Sequence, residues 1–472
     1  MNKRFSSLSQ IRSAISESSI TLPELVRHYL NNIEAGKNLN AFLEVFENEA
    51  LESAEIIQNK ILNHQAGKLA GMVIAIKDNI VFKNHESNAS SKILKGFKSL
   101  FSATVVERLI AEDAIIIGRT NCDEFAMGAS NENSAFGPVL NAADTSRVPG
   151  GSSGGSAVAV QADMCLAALG SDTGGSIRQP AAFTGIYGLY PTYGAISRWG
   201  LIAFASSFDQ IGPFTSSAED MALLLNVIGG SDQHDATMIQ NHQFDIQLDS
   251  SVKPLKIAYI KDCLEHPGLE PEIKSASLSF IELLQSKGHS VEGIDFPYLD
   301  QMVPCYQVLT TAEASSNLSR FSGLTYGYRS PDAVDLESTF KKSRSQGFGP
   351  EVKRRIMLGT FVLTSDYYDA YYTKAQKVRR LIRNKTMDIF KSYDIIITPT
   401  TSTVAFKVGE KSSNPIAMYL ADLFTVQANL AGIPGLSIPY GLHPGNQMPI
   451  GMQLMGKPLE EGTLLKLAAS LN

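Results

Sequence analysis

"PGGSSGGSAVAVQAD", residues 149–163, sets four glycines and three serines directly against an apolar run. Such a stretch can be a phosphate cradle, a flexible linker, or a loop that presents a serine for chemistry. A phosphate loop of the form GxxxxGK[ST] needs a lysine after its glycines, and none follows here. A dinucleotide fingerprint needs GxGxxG with an acidic residue about twenty positions on, and the spacing does not fit. A linker would continue into polar spacer, whereas "SAVAVQADMCLAALG" turns apolar at once. The serine-presenting loop gains from a second cluster, "GSDTGGSIRQPAAFTG" at 170–185, which has the form of a strand end, a glycine turn and a helix beginning near Ser176. Backbone N–H groups at such a turn point outward and can gather around an oxyanion. Ser152 and Ser176, 24 residues apart, would then converge at one edge of a sheet.

The flanking pattern supplies that sheet. "LAGMVIAIKDNIV", "AIIIGRT", "CLAALGSD", "LKIAYI" and "YDIIITPTT" are short apolar runs separated by helical or loop stretches, as expected of strands covered on both faces. The first sixty or so residues have a helical pattern. "SITLPELVRHYLNNIEA" offers Thr21 and Glu24 as a capping box with Pro23 in the first turn. Residues 300–390 are helix-rich, and Pro350 is placed to open a helix in "PEVKRRIM".

Composition narrows the function. The chain has 472 residues, a formal net charge of −6 and four cysteines (Cys122, Cys165, Cys263, Cys305) without metal-ligand spacing. An acidic balance argues against this chain carrying the main contact surface for a nucleic acid. Scattered cysteines suggest buried thiols in a reducing cytoplasm. No continuous apolar segment near residue 1 reads as a signal peptide, and no stretch approaches a membrane span.

A serine nucleophile needs a base. No histidine lies between His85 and His234, and no lysine between Lys98 and Lys253. Lys77, at the end of the apolar "GMVIAIK", is the nearest strong candidate. An ordinary lysine is charged at pH 7, a deficit of about 4–5 kcal/mol against the free amine, which burial can shrink. The residues alone leave two readings open: a desolvated base, or a lysine paired with Asp78 or a carbonyl at a strand end.

These three segments, "AIKDN", "GGSSGGSAVAVQAD" and "LGSDTGGSIRQPA", resemble the amidase signature family in order and spacing. The resemblance implies an α/β fold with a large mixed central sheet covered by helices on both faces. The expected division is an N-terminal helical segment at 1–66, packed on a 67–472 amidase-signature domain that holds the helix-rich insertion. It also implies a Lys–Ser–Ser triad: Ser176 as nucleophile, Ser152 (after a cis bond from Gly151) as relay, and Lys77 as base. The amides of Thr173, Gly174, Gly175 and Ser176 would form the oxyanion hole.

Further stretches, among them "DEFAMGASNENSAFGPVLN", "GTFVLTSDYYDAYYTKAQKVR" and "DLFTVQANLAGIPGLSIPYG", are similar to one branch of that family, the glutaminase subunits of tRNA-dependent amidotransferases. That branch implies Arg355 and Asp422 for the carboxylate and ammonium of glutamine, with Tyr306 lining the pocket. It implies two partners, a B subunit that uses ATP and Mg²⁺ and meets the tRNA, and a small C subunit. No cofactor is expected in this chain. Tyr190 and Ala195 in "GLYPTYGAISR" stand where the branch usually has basic residues. A free-standing amidase acting on another small amide is the alternative.

Overall fold

The computed structural model describes residues 4–248, 252–411 and 415–471. Among the described residues eleven strands form one sheet: β1 (Phe42–Val45), β2 (Val73–Lys77), β3 (Ile115–Thr120), β4 (Ala167–Asp172), β5 (Tyr187–Tyr190), β6 (Gln210–Thr215), β7 (Lys256–Ile260), β8 (Ser290–Ile294), β9 (Ile395–Pro399), β10 (Gly435–Leu442) and β11 (Pro449–Gly456). Their order is β1-β3-β2-β4-β6-β5-β10-β11-β9-β7-β8. β2 runs parallel to both β3 and β4, and β7 parallel to both β8 and β9. Antiparallel pairs join the two parallel groups, so the sheet is mixed as expected.

Every residue of β2, β3, β4 and β9 is buried, which explains their continuous rather than alternating apolar runs. β2 and β4 run in register, with Ile76 opposite Leu169, so their carboxyl ends emerge side by side. Lys77 closes β2 and Asp172 closes β4. Loops gather at such ends, and the two serine-bearing segments leave from this edge.

The first sixty residues supply more than helices. The capping box forms as read, with the Thr21 hydroxyl accepting from Glu24 N and the Glu24 carboxylate accepting from Thr21 N. Between the helices, however, Phe42–Val45 pairs antiparallel with β3 as an edge strand. Four residues are too few to show a period, so pairing with a preformed neighbour decides this element. Between β8 and β9 the chain is helical: Leu299–Asn317, Leu336–Gly347, Pro350–Val362 and Lys374–Ile389. Side chains of this region build a second apolar cluster with Phe125, Phe208 and Phe424, distinct from the larger one along the sheet. The four cysteines are free and buried. Among the described residues no helix is long and apolar enough to cross a membrane.

Candidate active site

Lys77 is fully buried, and its Nζ lies 2.7 Å from Ser152 Oγ, 2.8 Å from Ser153 Oγ and 2.9 Å from Ser171 Oγ. Burial lowers the amine from its ordinary range to about 8; Cys122 and the carboxylates of Asp123, Asp172 and Asp209 hold it from falling further. The neighbours constrain its hydrogens. The Ser153 hydroxyl donates to the Ser171 carbonyl at 3.0 Å, so its oxygen is left to accept from Lys77. Ser171 Oγ also accepts from Asn79 Nδ2 at 2.9 Å. Lys77 therefore pairs with three hydroxyls and, at 3.4 Å, with the Ser171 carbonyl near the end of β4, and it makes no ion pair with Asp78. The Asp78 carboxylate belongs to Arg119 and accepts from the amides of Asn88 and Ser90.

The Gly151–Ser152 peptide bond is cis. Asp123 holds the segment: its amide donates to the Ser152 carbonyl at 3.1 Å, and its carboxylate accepts from Asn131 N and Asn133 N. A Cβ on Gly151 would stand 2.1 Å from that carboxylate, which is why glycine precedes the serine.

The loop from Thr173 to Ser176 is braced from beneath by a buried ion pair. Asp172 and Arg178 meet at 3.0 Å, both without solvent exposure. Desolvation raises the Asp172 carboxyl, but the Arg178 guanidinium and hydrogen bonds from Asn429 and Ile177 N outweigh it and hold it low. Arg178 also donates to the Thr425 carbonyl, Gln453 Oε1 and Asn429 Oδ1. Buried charges survive when every donor and acceptor is met in this way.

This bracing corrects one expectation. Gly175 N donates to Asp172 Oδ1 at 2.8 Å, so its single hydrogen is spent inside the loop. The amides of Thr173, Gly174 and Ser176 remain, none of them bonded to a described residue outside regular structure. Ser176 is itself 8% exposed, and its hydroxyl makes no hydrogen bond among the described residues. The helix after it begins at Arg178, two residues later than the sequence pattern placed it.

Tyr306, Arg355 and Asp422 come together above this loop. The Tyr306 ring lies on Gly174, where a Cβ would be 2.5 Å from its Cζ, and meets Phe208 edge-on at 5.9 Å. Burial raises its phenol well above the usual range, with Asp422 adding to the rise and Arg355 opposing it. Arg355 is buried rather than on a solvated helix face. Its Nε donates to Glu351 Oε1 at 2.8 Å, and its guanidinium sits over the rings of Phe204 and Tyr419. That leaves both Nη groups without a hydrogen bond among the described residues. Asp422 is half-buried and its carboxylate likewise has no such partner; desolvation lifts it to about 8 against the pull of Arg355. A polar pocket of about 160 Å³ opens beside Arg355, lined by Ser130, Glu132, Asn133, Glu351, Arg354 and Tyr419 among others.

Sequence reasoning missed Ser171, Asn79 and the Asp172–Arg178 brace. Ser153 stood in the opening stretch without a role. Tyr190, where the related branch has a basic residue, is buried with its ring 5.1 Å from the Arg178 guanidinium and its hydroxyl donating to the Phe208 carbonyl. Ala195 is buried against the sheet-side core. Both departures are therefore interior.

Residues 24–465 match the family model described as Amidase. The chain is 48% identical over 472 residues to the A subunit of glutamyl-tRNA(Gln) amidotransferase from Chlorobaculum tepidum, covering 99% of this chain and 98% of that one. It is similar to the crystal structure of the protein of that name from Thermotoga maritima, at 38% identity and a TM-score of 0.79, over 95% of this chain and 93% of the other. The peptide amidase of Stenotrophomonas maltophilia is more distant at 28% identity, with a TM-score of 0.81 over 98% and 95% of the two chains.

Proposed function

The chain belongs to the amidase family, and on that premise we propose that it is the glutamine-hydrolysing component of a glutamyl-tRNA(Gln) amidotransferase. Ser176 Oγ attacks the side-chain carboxamide carbon of glutamine. Its proton passes to Ser152, and that of Ser152 to Lys77. A neutral amine has two hydrogens, which fit the oxygens of Ser153 and Ser171, so its lone pair is left facing Ser152. The oxyanion is met by the amides of Thr173, Gly174 and Ser176. Collapse expels the amide nitrogen, which takes the relayed proton and departs as ammonia. Water then cleaves the γ-glutamyl ester on Ser176 by the same relay and releases glutamate.

The observation that carries the choice of substrate is a pair of opposite charges that keep open hydrogen-bonding positions among the described residues: Arg355, whose Nε alone is taken by Glu351, and Asp422. Free glutamine brings a carboxylate and an ammonium, and each needs an opposite charge once it leaves water. The open Nη groups of Arg355 suit the first, the Asp422 carboxylate, without a hydrogen bond among the described residues, suits the second, and Tyr306 walls the space between. A free-standing amidase for neutral amides would have no use for both charges. The ammonia serves a B subunit that activates Glu-tRNA(Gln) with ATP and Mg²⁺, with a C subunit bracing the pair, all in the cytoplasm; Asp-tRNA(Asn) is a second acceptor to assay.

In the complex reconstituted with its B and C partners, Lys77→Ala, Ser152→Ala and Ser176→Ala should each abolish glutamine-dependent amidation. Amidation with ammonium chloride should persist at the wild-type rate. Loss of both activities would refute this division of labour.

A further inference from the structure

Glu124 is a buried carboxylate, 3% exposed, that no step above uses. It follows Asp123, whose amide and carboxylate fix the Gly151–Ser152 segment. The Glu124 side chain points the other way. Oε1 accepts from Ser91 Oγ, and Oε2 accepts from Gly349 N at 2.8 Å. Gly349 is the residue before the Pro350–Val362 helix, and it supplies no side-chain cap of its own. A Cβ there would stand 2.3 Å from Glu124 Oε2, so only glycine lets the carboxylate reach that amide. The next pair reinforces the contact, with the rings of Phe125 and Phe348 edge-on at 5.7 Å. The helix so anchored carries Glu351 and Arg355 on its first turns.

We propose that Glu124 is a positioning residue: with Asp123 it forms a two-sided clamp that registers the Arg355 helix against the serine loop and so sets affinity for the glutamine carboxylate. The inference rests on the glutaminase reading, because it takes Arg355 as the carboxylate's partner. Packing against the Leu299–Asn317 helix holds the middle of the Arg355 helix, where a Cβ on Gly359 would lie 1.9 Å from the Thr311 carbonyl. Its first turn has Glu124 as anchor. Losing that anchor lets Arg355 shift relative to Ser176 while the serines and Lys77 stay in place, so binding suffers and chemistry does not. Burial raises the Glu124 carboxyl to about 7, against the pull of Ser91 and Gly349 N, which marks it as a group kept out of water for these two contacts.

The test measures glutamine hydrolysis by the reconstituted complex, together with hydrolysis of 4-aminobutanamide, which is glutamine without its carboxylate. Glu124→Ala should raise KM for glutamine by about tenfold with kcat nearly unchanged, and leave kcat/KM for 4-aminobutanamide as in wild type. Glu124→Gln retains an oxygen for Gly349 N and an N–H for the Ser91 oxygen, and should restore KM. Should Glu124→Ala fail to fold, Ser91→Ala, which frees one arm of the clamp, should move KM in the same direction. Wild-type hydrolysis of glutamine with unchanged KM in Glu124→Ala and Ser91→Ala overturns the clamp alone. Equal losses on both amides overturn it as well, by showing damage to the serines. Absence of glutamine hydrolysis by the wild type overturns the underlying reading instead.

Discussion

The charge on Lys77 sets a pH dependence that can be worked out in advance. The base must be neutral to take a proton, and burial places its titration at about 8. Its neutral fraction grows about ninefold from pH 6 to pH 7 and about fivefold more from pH 7 to pH 8, then levels off. In the enzyme–glutamine complex Asp422 is held ionised by the substrate ammonium, so kcat should follow Lys77 alone with a limiting slope of one. In the free enzyme Asp422 also titrates near 8 and must be ionised to bind. The limb of kcat/KM should therefore steepen toward a slope of two, about eightyfold between pH 6 and pH 7. The assay is direct glutamate release by the reconstituted complex from pH 6 to 9, with Asp422→Asn as control. That variant should return the kcat/KM slope to one. Lys77→Arg keeps its charge at every accessible pH and should lose about 10²–10⁴-fold throughout. A kcat flat across this range, or a kcat limb that survives in Lys77→Arg, would refute the assignment of Lys77 as base.

Stability offers an independent check on the same group. The Lys77 pKa is lower folded than unfolded, so between about 8 and its ordinary 10.5 the unfolded chain binds more protons. Stability from this group rises with pH through that window, by about 3 kcal/mol, and the penalty is fully present below 8. Denaturant unfolding of wild type and Lys77→Met should show the wild type gaining on the variant from pH 7.5 to 10; a constant difference counts against a desolvated lysine. Asp172→Asn leaves Arg178 buried without its counter-charge and should cost about 3–5 kcal/mol, measured as a fall in the unfolding midpoint. Gly174→Ala places a methyl 2.5 Å from Tyr306 Cζ and must displace the ring. Glutaminase activity should fall about tenfold or more while ammonia-dependent amidation is kept, and an unaltered KM would show that Tyr306 does not wall the glutamine site.

What could be seen in the chain before its structure follows a physical division. That Lys77 ends an apolar strand and that Ser152 and Ser176 sit in glycine-rich turns was legible locally, whereas the choice of these three as a triad came from the resemblance of the whole pattern. Arg355 was half legible. In "VKRRIM" nothing local separates Arg354 from Arg355, yet one is 45% exposed at the side chain and the other 6%. The helical period decides between them. Val352, Arg355, Gly359 and Val362 fall on one buried face at spacings of three and four, and that stripe is present in the sequence.

The parts that were not legible depend on contacts between distant segments. Asp172 and Arg178 are close in sequence, but what makes a buried ion pair tolerable there is supplied by Asn429 and Gln453, about 250 residues away or more. Glu124 meets Gly349 across 225 residues. Without those partners a buried carboxylate is a cost, so a local reading assigns it to the surface. The corrected oxyanion loop has the same origin. Four amides in a glycine turn look equivalent along the chain, and only the folded Asp172, turned back by its own ion pair, takes one of them out of use. An Asp172 variant that still folds should therefore free Gly175 N and loosen the loop, giving a slower acylation step rather than a fourth productive donor, because a donor that is not held in place contributes little to the developing charge.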